Sequence, residues 1–117
     1  GQIELIAECM NEVKMFNAPV TSDDLKAILS CNPKVIFRSN NNRYLAFLFS
    51  ELSYRNLITP NWQSVIANHK LFLSKDKSRD KYLNQGDLAT ATNYVKDIDH
   101  VKGYAIIDKY IKQLKKL

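Results

Sequence analysis

Two histidines, two cysteines and a scatter of carboxylates are the residues whose chemistry reaches beyond packing. Cys9, Cys31, His69 and His100 would nominally make four zinc ligands, since thiolate and imidazole are what zinc prefers. None of them stands at C-x₂₋₄-C or H-x₃₋₅-H spacing, so no metal site is expected. Asp97, Asp99 and Asp108 fall at positions 1, 3 and 12 of a notional calcium loop. Val101 occupies a ligand position there, and Lys102 stands where the sharp turn needs glycine. Neither histidine has a Ser, Cys or carboxylate at dyad spacing, so both read as structural, with His69 on the inner side of its helix. Gly86 and Gly103 stand alone, which removes a glycine-rich phosphate loop. The chain therefore reads as non-enzymatic, with no cofactor and no metal.

Charge is the stronger signal. The 117 residues carry a net charge of +5, distributed unevenly. In residues 1–32, Glu4, Glu8, Glu12, Asp23 and Asp24 outweigh Lys14 and Lys26. Residues 33–117 are predominantly basic, with concentrations around Arg43, between Lys70 and Lys81, and in the last sixteen positions. A basic face beside a helix pair is the electrostatic footprint of a nucleic-acid binder. A solvated lysine face is the plain alternative, because the same charge also favours solubility.

These charges need elements to hold them. Leu45, Leu48, Phe49 and Leu52 recur at helical spacing and mark a central core-facing helix, capped by the run Asn40–Asn42. Asn56 ends it, and Thr59-Pro60 starts a second helix with Trp62, Val65, Ile66 and His69 inward. Asn61, Ser64 and Asn68 would lie on the outer face of that helix with Gln63 at its shoulder, residue types suited to reading adenine in a major groove. Leu71–Leu73, a basic loop and Tyr82-Leu83 predict a two-stranded wing. Lys75, Lys77, Arg79 and Lys81 on that loop, with Arg43 and Lys70 beside it, would reach phosphates.

Upstream, a stripe from Ile6 to Phe16 predicts a first helix ended by Pro19, and Thr21 or Ser22 caps a short second one. Val35–Phe37 reads as a brief strand or a buried link. Downstream, Asn84 caps a helix through Leu88 and Ala91, and a last helix from about Tyr104 carries Ile107, Tyr110, Ile111, Leu114 and Leu117 along one face. That last stripe is also a candidate surface for self-association or a protein partner.

From Asn41 onward, NRYLAFLFSELSYRNLI, WQSVIANHKLF, YLNQGDL and YAIIDKYIKQLKKL resemble the C-terminal part of the RteC family, regulators carried on conjugative elements of Bacteroides-type bacteria. At Asp97–His100 the chain departs from it, being acidic where the family is strongly basic. The resemblance implies a winged-helix-like, DNA-binding regulator of a mobile element.

The combined expectation is a single, mainly α domain of about six helices, winged-helix-like with a small β-wing. It would be cytoplasmic, cut from a longer protein because the chain opens on Gly, and without a membrane partner. DNA binding is the first function expected, and a helical protein-interaction module the second.

Overall fold

Helix boundaries in this chain are set by capping side chains at one end and left-handed residues at the other. The structure, a computed structural model, describes residues 1–76, 81–95 and 102–114. Lys77, Arg79, Asp97, Asp99, His100 and Leu117 lie outside the described residues. Six helices fall within them: α1 (Gln2–Glu12), α2 (Ser22–Leu29), α3 (Asn42–Tyr54), α4 (Trp62–Asn68), α5 (Gln85–Val95) and α6 (Lys102–Leu114).

Three helix starts are held by side chains that satisfy otherwise orphaned N–H groups. Thr21 accepts from the Asp24 N–H while Asp24 accepts from the Thr21 N–H, both at 3.0 Å. Asn84 and Asp87 repeat this reciprocal box before α5, at 2.8 and 3.2 Å. The Asn41 carboxamide oxygen accepts from the N–H groups of both Arg43 and Tyr44 at the head of α3. For α4 the structure differs from expectation. Thr59 accepts from the Asn61 N–H, and the helix begins only at Trp62, because Thr59–Asn61 is spent on a turn.

The four helix ends share one device. Lys14, Cys31, Asn56 and Lys70 all have positive φ, between 52° and 59°, just beyond α1 to α4. In each case the following N–H reaches back to close the last turn: Met15 to Met10, Asn32 to Ala27, Leu57 to Leu52 and Leu71 to Ile66. This is the Schellman closure, which usually employs glycine, yet here it uses none. The closure at Lys14 also corrects the first helix. It ends at Glu12 rather than near Pro19, and Met15 and Phe16 leave it to enter the core.

Phe16 goes to a small sheet. Strands β1 (Phe37–Arg38) and β2 (Phe72–Leu73) pair in parallel, Phe37 opposite Phe72 and Arg38 opposite Leu73. Isolated bridges extend the sheet on either side, Phe16 to Ser39 and Leu73 to Tyr82, both antiparallel. The expected wing pairing is thus present as a bridge, flanked by Ser74 N–H to Lys81 O and Leu83 N–H to Phe72 O. The ladder of β2 itself runs the other way, to β1. Val35 is half exposed at 51%, so only the end of the Val35–Phe37 run is a strand.

Helix α3 occupies the centre, with Leu45, Ala46, Leu48, Phe49 and Leu52 all buried. It packs on α5 and α6, while α1 packs on α2 and α6, and α4 on α5. An aromatic chain links helices to sheet: Trp62 tilts on Phe49, Phe49 meets Phe72 edge-on, and Phe72 stacks on Phe16 at 4.8 Å. Trp62 is core, as its position on the Val65/Ile66 stripe implies. His69 is not: it is the C-cap of α4 and exposed, because the helix ends at Asn68, one residue before it.

The α6 stripe is consumed inside the domain. Ile107, Tyr110, Ile111 and Leu114 are buried, so it is not a ready surface for self-association. Tyr110 donates to the Glu12 carboxylate at 2.7 Å, tying α6 to the end of α1. Gly103 lies so near Tyr44 that a Cβ there would sit 2.0 Å from its ring, and Tyr104 packs edge-on against Tyr44 and Phe47.

Two expectations follow from this architecture. Lys14→Gly relieves the left-handed strain and stabilises the fold by about 1 kcal/mol, raising Tm by about 4 °C, whereas Asn56→Gly gains less because Asn tolerates that conformation. Alkali acts on the buried acids. The hydrogen bond to Glu12, then burial, pushes Tyr110 up from 10.0 to about 12, and burial, then the Glu12 charge, pushes Cys9 up from 9.0 to about 12. Both groups fold in the protonated form, so their stabilisation is complete below pH 9 and is lost as pH rises through 9–12. Urea midpoints measured from pH 8 to 12 should fall less steeply in Cys9→Ala/Tyr110→Phe than in the parent.

Candidate functional site

Of the basic residues expected to act together, Arg43, Lys75 and Lys81 are far apart in sequence, and the small sheet brings these three to one surface. The exit of β2 runs past the head of α3 and the head of α5. A cleft of about 450 Å³ opens there, with Asn42, Arg43, Lys75, Asp87 and Thr90 in its wall. It adjoins a second depression of about 220 Å³ lined by Asn42, Ser74, Lys75, Asp76, Lys81 and Asp87. Asn42, Lys75 and Asp87 belong to both, so the two form one polar surface.

Each side chain is there for a local reason. Arg43 sits in the first turn of α3 because Asn41 caps that helix. Asn42 is oriented by Ser39, whose buried hydroxyl donates to its Oδ1 at 2.6 Å. Lys75 and Lys81 face solvent on either side of the Ser74–Lys81 backbone bond. Asp87 is engaged in its box with Asn84, and its charge suits the positive end of the α5 dipole. Three cations therefore meet two carboxylates, Asp76 and Asp87, and the balance of the surface is positive.

Arg38 is the residue that sequence reasoning missed. Its guanidinium donates to the carbonyls of Ser74 and Asp76 at 2.9 and 2.8 Å, pinning the start of the basic loop to β1. Nothing local advertises that role, since it depends on a strand pairing that brings Arg38 to a carbonyl 36 positions away.

The other predicted residues divide. Lys70 lines neither depression; it is exposed, its ammonium 5.7 Å from the Tyr82 ring. Asn61 and Asn68 are exposed at the two ends of α4. Gln63 is not a reader in waiting: its Nε2 donates to Thr92 on α5 at 3.0 Å. Ser64 is half buried. The α3–α4 link occupies Arg55–Asn61, and α4 leans on α5, so the compact turn and projecting second helix expected of a helix-turn-helix unit are not what forms.

A second, apolar feature lies elsewhere. Leu29, Leu57, Trp62, Val65 and Leu71 line a groove of about 380 Å³ between α2, the α3–α4 link and α4. Leu29 and Leu57 are exposed by 39% and 38%. Cys31 is in its wall, half buried and unpaired. Among the described residues no group of three or more metal-ligating side chains assembles, and no helix is long and apolar enough to cross a membrane.

Comparison of the chain with protein-family models, curated protein sequences and solved structures finds no match. The geometry of the polar surface is therefore the ground for assigning a role.

Removing the Arg38 clamp should loosen this surface specifically. Arg38→Ala is expected to cost about 1–2 kcal/mol in chemical denaturation, because two carbonyls lose a charged donor. Hydrogen exchange should show faster exchange at the Ser74 and Leu83 amides, with the α1 and α6 amides little changed.

Proposed function

We propose that this domain binds DNA through the phosphate backbone and serves a regulatory, non-enzymatic role, of the kind carried on mobile elements. One observation carries the reading: Arg43, Lys75 and Lys81 line a single continuous surface. Lysine and arginine clustered on one face neutralise phosphates and release counterions, which gives affinity without base discrimination. The resemblance of the segments after Asn41 to the RteC family points the same way. Base reading belongs to Asn61 and Asn68, since Gln63 is engaged by Thr92. No cofactor enters this reading, and the cytoplasm is the compartment that suits it.

A helical protein-interaction module is the second reading. The groove at Leu29, Leu57 and Trp62 favours it, because exposed leucines beside a tryptophan form the apolar centre of many interfaces.

Fluorescence anisotropy of a labelled duplex, titrated at several salt concentrations, separates the two. The DNA reading expects log K to fall linearly with log salt, with the slope reduced by about 2–3 in Lys70→Ala/Lys75→Ala/Lys81→Ala. Absence of binding at low salt would end it and leave the groove as the functional surface.

A further inference from the structure

Ser74 is at odds with its surroundings. Only 8% of it is exposed, and its hydroxyl oxygen is buried without a hydrogen-bond partner. Its backbone is fully engaged, the N–H donating to Lys81 O and the carbonyl accepting from Arg38. The orphan is therefore the side chain alone. A buried hydroxyl left unpaired is costly, and natural folds rarely keep one without a use. Ser74 lines the depression shared with Asn42, Lys75 and Lys81, which opens into the cleft that holds Arg43.

The donors around this point match one kind of ligand. Ser39 takes the oxygen of the Asn42 amide, so the nitrogen end is what remains to offer a ligand. Lys75 and Lys81 supply two ammonium groups, and Arg43 adds a guanidinium on the same wall. The positive end of the α3 dipole lies at Asn41–Arg43. A group rich in acceptor oxygens and carrying negative charge is complementary to all of these, whereas a metal ion would meet the lysines. Asp76 and Asp87 oppose an anion, and Asp87 is partly answered by the Asn84 N–H.

We propose that the cleft between the heads of α3 and α5 is a discrete phosphate-binding site, in which Ser74 turns its hydroxyl to the ligand beside Asn42, Lys75 and Lys81. The phosphate belongs either to a nucleic-acid backbone or to a small phosphorylated molecule. This site shares lysines with the DNA surface but does not rest on that reading, because its orphan hydroxyl predicts a saturable pocket rather than a diffuse field.

Two-dimensional amide NMR of the 117-residue chain, titrated with inorganic phosphate at constant ionic strength against chloride, tests it. Saturable shifts at residues 41–43, 74–75 and 81 are expected. Ser74→Ala should weaken phosphate by about tenfold or more, the cost of a lost bond to a charged ligand. That variant removes an unsatisfied group, so its thermal stability should be unchanged or raised. Asn42→Asp serves as a second probe: it suits a helix start but turns a donor into a like charge, and should abolish binding. Lys26→Ala, exposed on α2 and outside the cleft, should leave phosphate affinity within about twofold.

Shifts that do not saturate, or that chloride reproduces, overturn the site. Equal phosphate affinity in the parent, Ser74→Ala and Asn42→Asp does so as well. Dimethyl phosphate competing with inorganic phosphate supports the site and identifies a backbone diester, while inorganic phosphate alone supports it and identifies a monoester. Phosphate binding without duplex binding keeps the site and ends the DNA reading. Duplex binding with no phosphate saturation ends the site and keeps the reading.

Discussion

The parallel pairing of Phe37-Arg38 with Phe72-Leu73 is the constraint on which the rest of this structure depends. It closes a loop containing two helices, and closing such a loop costs chain entropy that a two-residue ladder alone does not offset. Burial supplies the difference. Phe72 is wholly buried, stacked on Phe16 and met edge-on by Phe49, so the strand is held by aromatic packing as much as by backbone bonds. Fully burying a side chain of this size stabilises by about 1.5–3 kcal/mol. The pairing also sets both ends of the polar surface. It fixes Ser39 and the Asn41 cap at the head of α3, and it delivers Ser74 and Lys75 to the same place.

Around that closure the chain uses polar side chains where many folds use glycine. The left-handed positions after α1 to α4 carry Lys14, Cys31, Asn56 and Lys70, although an L-residue is strained there. At Lys70 the strain coincides with placement of its ammonium over Tyr82. Glycine is reserved for a steric need at Gly103, where α6 crosses Tyr44. The docking of α6 thus rests on shape at one end and on the Tyr110–Glu12 bond at the other. Its apolar stripe completes the core of its own domain.

The polar surface and the apolar groove also differ in kind. The first is a cleft walled by hydrated charges and polar side chains, so it adds long-range attraction to its shape. The groove at Leu29 and Leu57 has shape and almost no charge in its wall. Concentration of the basic residues at the strand exit, away from that groove, is what makes the electrostatic reading the stronger one.

Local physics decided a good deal here. The period of Leu45, Leu48, Phe49 and Leu52 determined a buried central helix, and the Asn41, Thr21 and Asn84 caps are legible because each answers N–H groups within three residues. Mainly helical architecture and a core Trp62 follow from the same short-range patterns. Where the answer lay in distant contacts, sequence failed. The left-handed turn at Lys14 ends α1 early, although the apolar stripe continues to Phe16, because that ring is claimed by the sheet. Gln63, which periodicity puts at the shoulder of α4, is taken by Thr92 of α5, and His69, which periodicity puts inward, is exposed because α4 ends at Asn68. Arg38 and Ser74 were invisible as site residues, since one acts on carbonyls 36 and 38 positions away and the other is notable only for a bond it lacks. Composition and periodicity therefore determined which residues are charged and which helices exist. Tertiary structure alone decided which charges meet, because the meeting is made by strand pairing and aromatic packing between segments that share no local pattern.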